Sequence, residues 1–185
     1  MNLPNKLTMF RVILIPFFLA AFMIPGIPAG KWIAVGIFGI ASLTDLLDGK
    51  IARKYNLVTD FGKFMDPLAD KLLVCSAMIA MIELGRMPAW VVIVIIAREF
   101  IISGFRLVAS DNGVVIAASY WGKIKTTIQM IMIIVLIVNL GENLPAVTAW
   151  IGVCEQVLIY VSLILTVVSL IDYLVKNRNV LSEQK

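Results

Sequence analysis

The chain has 185 residues, 61% of them hydrophobic, with a net charge of +4 and no histidine. Soluble domains are only about half apolar, so a mean hydropathy of +0.96 excludes an ordinary soluble globule. It predicts an all-α, polytopic membrane protein, with residues 1–185 forming a single membrane domain. The lack of histidine excludes histidine-based metal or acid–base chemistry, and Cys75 and Cys154, both in apolar segments, imply neither a disulfide framework nor a zinc site.

A spanning helix needs about 20 mostly apolar residues. Six stretches meet this, at roughly 8–25, 31–54, 62–84, 88–109, 120–140 and 147–175, so a bundle of six transmembrane helices is expected. A short interfacial segment over residues 2–7 precedes the first. That first run opens through Thr8 and Arg11 and is followed by no convincing cleavage site, so it reads as a retained helix. Pro25, Gly26 and Pro28 separate the first and second spans. Gly85 and Pro88 separate the third and fourth, and Gly141 and Pro145 the fifth and sixth.

Charge sets the expected orientation. Lys6, Arg11, Lys50, Arg53, Lys54, Lys63, Lys71, Arg106, Lys123, Lys125, Lys176, Arg178 and Lys185 fall at one side, against Lys31 and Arg86 with Glu83 and Glu142 at the other. The positive-inside rule puts both termini at the cytoplasmic face. A pI near 9.2 suits a surface facing anionic phospholipid headgroups, and no nucleic-acid partner is expected. Arg98 does not fit a purely topogenic role, because it falls about ten residues into the fourth span.

Four aspartates stand near the join of the second and third spans. Asp45 and Asp48 are three apart and Asp66 and Asp70 four apart, so each pair lies one turn apart on a helix face. The short connection between them makes the two helices expected antiparallel neighbours, on which all four carboxylates can converge. A carboxylate in hydrocarbon-like surroundings calls for a cation or a water-filled cavity. Hard oxygen ligands without histidine or cysteine select Mg²⁺, Mn²⁺ or Ca²⁺, and four carboxylates can share two such ions, as in phosphate-transfer sites. Gly49, Ala52 and Gly62 interleave with the acids and would let a flat or bulky group approach the backbone; Arg53 suits a phosphate. Packing through small residues is the ordinary alternative for any one glycine, but packing does not require four acids.

The stretch from Asp45 to Asp70 reads D-x2-D-G-x2-A-R-x8-G-x3-D-x3-D. It resembles the signature of the CDP-alcohol phosphotransferase family at every fixed position. The resemblance implies six transmembrane helices, a homodimer, and two Mg²⁺ or Mn²⁺ ions per active site. It implies transfer of a phosphatidyl or similar group from a CDP-activated donor to an alcohol, with release of CMP. Carried over by motif position, Asp45, Asp48, Asp66 and Asp70 would be the metal ligands and Asp70 also the general base. Gly49, Ala52, Arg53 and Gly62 would hold the cytidine nucleotide.

The acceptor alcohol should be recognised outside the signature. Asn5, Thr8 and Arg11 form one polar stripe on the apolar first helix, although capping by Asn5 and snorkelling by Arg11 would also explain them. Arg98, Arg106, Lys123 and Lys125 form a second basic set, expected beside the carboxylates at the cytoplasmic face, unless Arg98 pairs locally with Glu99. Excess cations suit an acceptor that carries a phosphate. The P-N-x-L-T-x2-R opening and the Arg98-Glu99-Phe100 and Gly122-Lys123-x-Lys125-Thr126 segments resemble the bacterial branch of the family that makes phosphatidylglycerophosphate. That branch implies CDP-diacylglycerol as donor, sn-glycerol 3-phosphate as acceptor and a bacterial cytoplasmic membrane. Inositol phosphate, serine or phosphatidylglycerol as acceptor remain alternatives within the family. A cation-coupled transporter would place its acids through the bilayer midplane rather than at one face.

Overall fold

The computed structural model of the chain describes residues 3–55, 60–111, 116, 119–142 and 148–177; the side chains of residues 3–4, 45–55, 60–64, 66–67, 70, 110–111 and 142 lie outside that description. The described residues form six α-helices and one short 3-10 turn, with no strand among them. They are α1 (Leu3–Met23), α2 (Gly30–Tyr55), α3 (Asp60–Glu83), α4 (Ala89–Asp111), α5 (Tyr120–Val138) and α6 (Thr148–Lys176), with the 3-10 turn at Leu140–Glu142. Helices close every interior backbone hydrogen bond within one segment, which apolar surroundings demand.

The six expected stretches become these six helices with shifted ends. The largest shift is at the start. Leu3 to Leu7 are the first turns of α1 and not a separate element. Pro4 suits a helix's first turn, where its missing N–H would go unused anyway. α1 over Asn5–Met23, α5 and α6 are long and apolar enough to cross a membrane. The other three helices carry charged residues of the expected site: Asp45 and Asp48 on α2, Asp66 and Asp70 on α3, and Arg98 on α4. Before its aspartates α2 keeps a shorter apolar run, Gly30–Thr44.

The chain divides into two compact units, Met1–Arg86 and Met87–Lys185. In the first, α1 packs along both α2 and α3, which also touch each other. Phe18 of α1 is fully buried, its ring centroid 5.7 Å from Phe22 and 6.0 Å from Phe38 of α2. Around these rings the core is made of small and flexible residues: Ala34 and Ala41 of α2, and Ala69, Ala77, Met78, Ala80 and Met81 of α3. Small side chains let helices approach closely without a large apolar core. The tightest approach is at Gly30, where a Cβ would stand 2.5 Å from the carbonyl oxygen of Ala21. The turn reaching Gly30 uses left-handed backbone at Gly26 (φ 90°) and Ala29 (φ 55°). α3 ends on Gly85 (φ 67°), with Gly85 N–H bonded to Ile82 O at 2.9 Å and Arg86 N–H to Met81 O at 2.8 Å. This paired closure satisfies carbonyls that the helix end would otherwise leave open.

In the second unit α6 packs against both α4 and α5. Ser119 caps α5 by accepting from Gly122 N–H at 3.1 Å, and Asn139 closes it in a left-handed conformation, its N–H bonded to Val135 O at 3.1 Å. At about 1.5 Å per residue, α6 is about 44 Å long, more than the roughly 30 Å hydrocarbon thickness of a bilayer. Buried apolar residues of this unit include Ile95 of α4, Met132, Ile133 and Leu136 of α5, and Ile159 of α6.

The close approach at Gly30 yields a paired test. Gly30→Ala is expected to lower the melting midpoint of the detergent-purified protein, because the clash is with backbone. Gly36→Ala, where a Cβ meets nothing within 4 Å, is expected to leave it unchanged or raise it slightly, alanine being favoured by about 1 kcal/mol within a helix. Equal effects would contradict the packing at Gly30.

Candidate functional site

The signature falls on two helices of the first unit. Asp45, Asp48, Gly49, Ala52 and Arg53 lie on the later part of α2, and Gly62, Asp66 and Asp70 on the first half of α3. Each aspartate pair is therefore one turn apart on helical backbone, as its spacing predicts. The side chains of these eight residues lie outside the described residues, as do residues 56–59 between the helices. Along the axis, Asp45 and Asp48 stand about 20 and 24 Å beyond Trp32, at ~1.5 Å per residue. Trp32 is exposed near the start of α2, where a tryptophan suits the membrane–water interface.

The polar stripe of α1 turns inward. Asn5, Thr8 and Arg11 are all buried, Arg11 to 1% exposure. A snorkelling arginine would keep its head in water, so that alternative fails for Arg11. The helix carrying this stripe is the one that packs along both aspartate-bearing helices.

The second basic set lies in the second unit, on α4 and α5, with α6 packed against both. Arg98 of α4 is buried and donates from Nε and Nη2 to Ser169 Oγ of α6, at 3.2 and 3.0 Å. Its Nη1 donates to Glu99 Oε1 at 3.2 Å. Lys125 of α5, also buried, pairs with the same Glu99 oxygen. The local pairing of Arg98 with Glu99 is thus present, and Lys125 joins it. Gly122 lies beside this cluster: a Cβ there would make ordinary contact with Arg98 Nη2, at 3.6 Å. Arg106 is exposed, with its guanidinium 5.7 Å from the ring centre of Tyr173, which also meets Phe105 edge-on at 5.6 Å. Lys123 is exposed on α5. Arg98 and Lys125 are therefore brought together, and Arg106 lies within electrostatic reach of Arg98.

Several partners were missed by sequence reasoning. Ser162, Thr166, Ser169 and Tyr173 are buried on α6, and Gln129 is buried one turn after Lys125 on α5. The signal was present: polar residues four, three and four apart on an otherwise apolar helix form one face. Taken alone, hydroxyls at that spacing are ordinary membrane packing. The cations opposite give a task to Ser169 and Tyr173, which meet Arg98 and Arg106.

Comparison with known proteins extends this over nearly the whole chain. The family model for CDP-alcohol phosphatidyltransferase matches residues 1–168, across both units. The chain is 44% identical over 187 residues to a Bacillus subtilis protein named CDP-diacylglycerol–glycerol-3-phosphate 3-phosphatidyltransferase, covering 95% of each chain. It is 42% identical to a Haemophilus influenzae protein of the same name, covering 94% of this chain and 91% of the relative. A Mycobacterium tuberculosis protein named probable phosphatidylglycerophosphate synthase is 37% identical, covering 95% of this chain and 81% of the relative. With the aspartate pattern on helical backbone and similarity of this extent, the chain belongs to the CDP-alcohol phosphatidyltransferase family.

Proposed function

We propose that the chain transfers the phosphatidyl group of CDP-diacylglycerol to sn-glycerol 3-phosphate, giving phosphatidylglycerophosphate and CMP. The observation that carries this is its similarity over almost its full length to the B. subtilis enzyme whose name states that donor and acceptor. In the reaction the acceptor's hydroxyl oxygen attacks the phosphatidyl phosphorus. The bond from that phosphorus to the bridging oxygen breaks and CMP leaves with the electron pair.

The residues take roles that match their chemistry. Asp45, Asp48, Asp66 and Asp70 form an all-oxygen donor set that fits two Mg²⁺ or Mn²⁺ ions. Such ions, when bound, offset the charge of the pyrophosphate and of the attacking oxygen. Asp70 accepts the proton of the acceptor hydroxyl. Gly49, Ala52 and Gly62 leave space for the cytidine nucleotide, and Arg53 pairs with its phosphate. Asn5, Thr8, Arg11, Arg98, Arg106, Lys123 and Lys125 serve the acceptor's phosphate.

The chain works as one membrane domain of six spans in the bacterial cytoplasmic membrane, with both termini and the aspartates cytoplasmic, and as a homodimer. The exposed aromatic residues support the spans. Trp32, Trp90 and Trp150 are exposed near the starts of α2, α4 and α6, and Tyr120 and Trp121 at the start of α5. Aromatic rings at alternate helix ends suit the two interfaces of a bilayer. Counted from Trp32, Asp45 and Asp48 come about two-thirds or more of the way through a hydrocarbon layer of roughly 30 Å. That lies nearer the far interface, beyond which lipid phosphates meet water, whereas a transported ion's site would lie nearer the midplane.

Three outcomes test these roles by CMP release. EDTA is expected to stop release, and added Mg²⁺ or Mn²⁺ to restore it; unchanged activity in EDTA would contradict the metal assignment. Asp70→Asn is expected to lower turnover by at least about 100-fold, in the range of a lost general base, while CDP-lipid binding persists. Near-normal turnover would remove the base assignment. Arg106→Ala is expected to raise the KM for glycerol 3-phosphate more than that for the donor, and the reverse order would contradict its acceptor role.

A further inference from the structure

We propose that Ser169 is a positioning residue for the acceptor, holding the Arg98 guanidinium so that its remaining donors meet the phosphate of glycerol 3-phosphate. This rests on the reading of Arg98 as a ligand of that phosphate. Ser169 is fully buried on α6. Its own hydroxyl hydrogen is committed to the backbone, since Oγ donates to Thr166 O at 2.9 Å. Towards Arg98 it therefore acts only as an acceptor, receiving Nε and Nη2 at 3.2 and 3.0 Å. A rotor whose hydrogen is already engaged presents its lone pairs in a fixed direction.

The guanidinium carries five N–H donors in a planar fork. Ser169 takes one from Nε and one from Nη2, and Glu99 takes one from Nη1. One N–H on each terminal nitrogen is left by these three bonds, a two-donor set of the kind that grips two phosphate oxygens at once. The side chain keeps 9% of its surface exposed, so this set is not sealed off.

Electrostatics explains why a tether is needed. Gly122 puts the guanidinium against the first turn of α5, whose amino end carries the positive pole of the helix. Lys125 adds a second cation on the same helix, bonded to the carboxylate that Arg98 also uses. A cation in that field is repelled from where an anion would be best received. Ser169, a neutral acceptor, holds it there without cancelling its charge as a carboxylate would. Asp or Glu at position 169 would bind Arg98 more strongly but reduce its pull on a phosphate.

The test is steady-state CMP release by the full-length protein in detergent, with Mg²⁺ and CDP-diacylglycerol, varying glycerol 3-phosphate and then the donor. Ser169→Ala is expected to raise the acceptor KM about tenfold, as loss of a hydrogen bond to a charged group would. The donor KM, kcat and melting midpoint should change little. Ser169→Cys, close in volume but a weaker acceptor, should raise the acceptor KM in the same direction by less. In an Arg98→Ala background Ser169→Ala should add nothing further. If Arg98→Ala raises the acceptor KM and neither Ser169 variant does, the positioning role is wrong while the acceptor reading stands. If Ser169→Ala lowers kcat and the melting midpoint and moves both KM values together, the residue is only structural and the proposal falls. If Arg98→Ala leaves the acceptor KM unchanged, the acceptor role of Arg98 fails first, and the inference with it.

Discussion

A charge carried on an apolar helix must be met by a partner of opposite charge or by hydrogen bonds, because leaving it unmet in a medium of low polarity is costly by several kcal/mol. That constraint organises the second unit. Arg98 sits ten residues into the largely apolar α4, and one polar atom from its own helix and one from α6 meet it. Lys125 brings α5 to the same carboxylate. Three helices are thus joined at one charged cluster, and much of the remaining core on them is Ile, Leu and Met. The same requirement explains why Arg11, Thr8 and Asn5 turn towards the interior of the first unit rather than towards the exposed face that carries Phe10, Ile13 and Phe17.

The chemistry assigned to the chain uses this arrangement. Phosphatidyl transfer joins a lipid donor to a charged, water-soluble acceptor, so the site must adjoin hydrocarbon and still hold anions. Helices that are apolar along most of their length and polar over a few turns meet both demands. On α2 the apolar run Gly30–Thr44 comes directly before Asp45. On α4 and α6 the buried polar residues stand beside widely exposed apolar ones, such as Phe100, Leu107, Ile164 and Ile171. Cations held rigidly suit phosphate recognition better than mobile ones, since less freedom is lost when the ligand arrives.

Much of this was legible in the residues. The six helices follow from apolar runs broken by Pro and Gly, and Gly85 ends α3 in the left-handed conformation that glycine favours. The aspartate pattern pointed to the family before any coordinates through its resemblance to the family signature, while four acids at helical spacing argued for a metal site over packing. Other features were hidden for physical reasons. Residues 2–7 are expected as an interfacial segment ahead of the first span, yet a proline in the first turn permits α1 to begin at Leu3. The need for glycine at position 30 depends on the Ala21 carbonyl of another helix. Ser169 looks like any small polar residue in a membrane helix until the arginine of α4 is found against it, 71 positions away in the chain.

The central claim, phosphatidyl transfer to glycerol 3-phosphate, is tested most directly by an acceptor panel. The protein, purified in detergent, would be given Mg²⁺ and CDP-diacylglycerol, and CMP release followed with glycerol 3-phosphate, inositol phosphate, inositol, serine and phosphatidylglycerol in turn. Release with glycerol 3-phosphate alone, with phosphatidylglycerophosphate as the lipid product, is the predicted result. Release with a different acceptor and not with glycerol 3-phosphate would contradict the assignment.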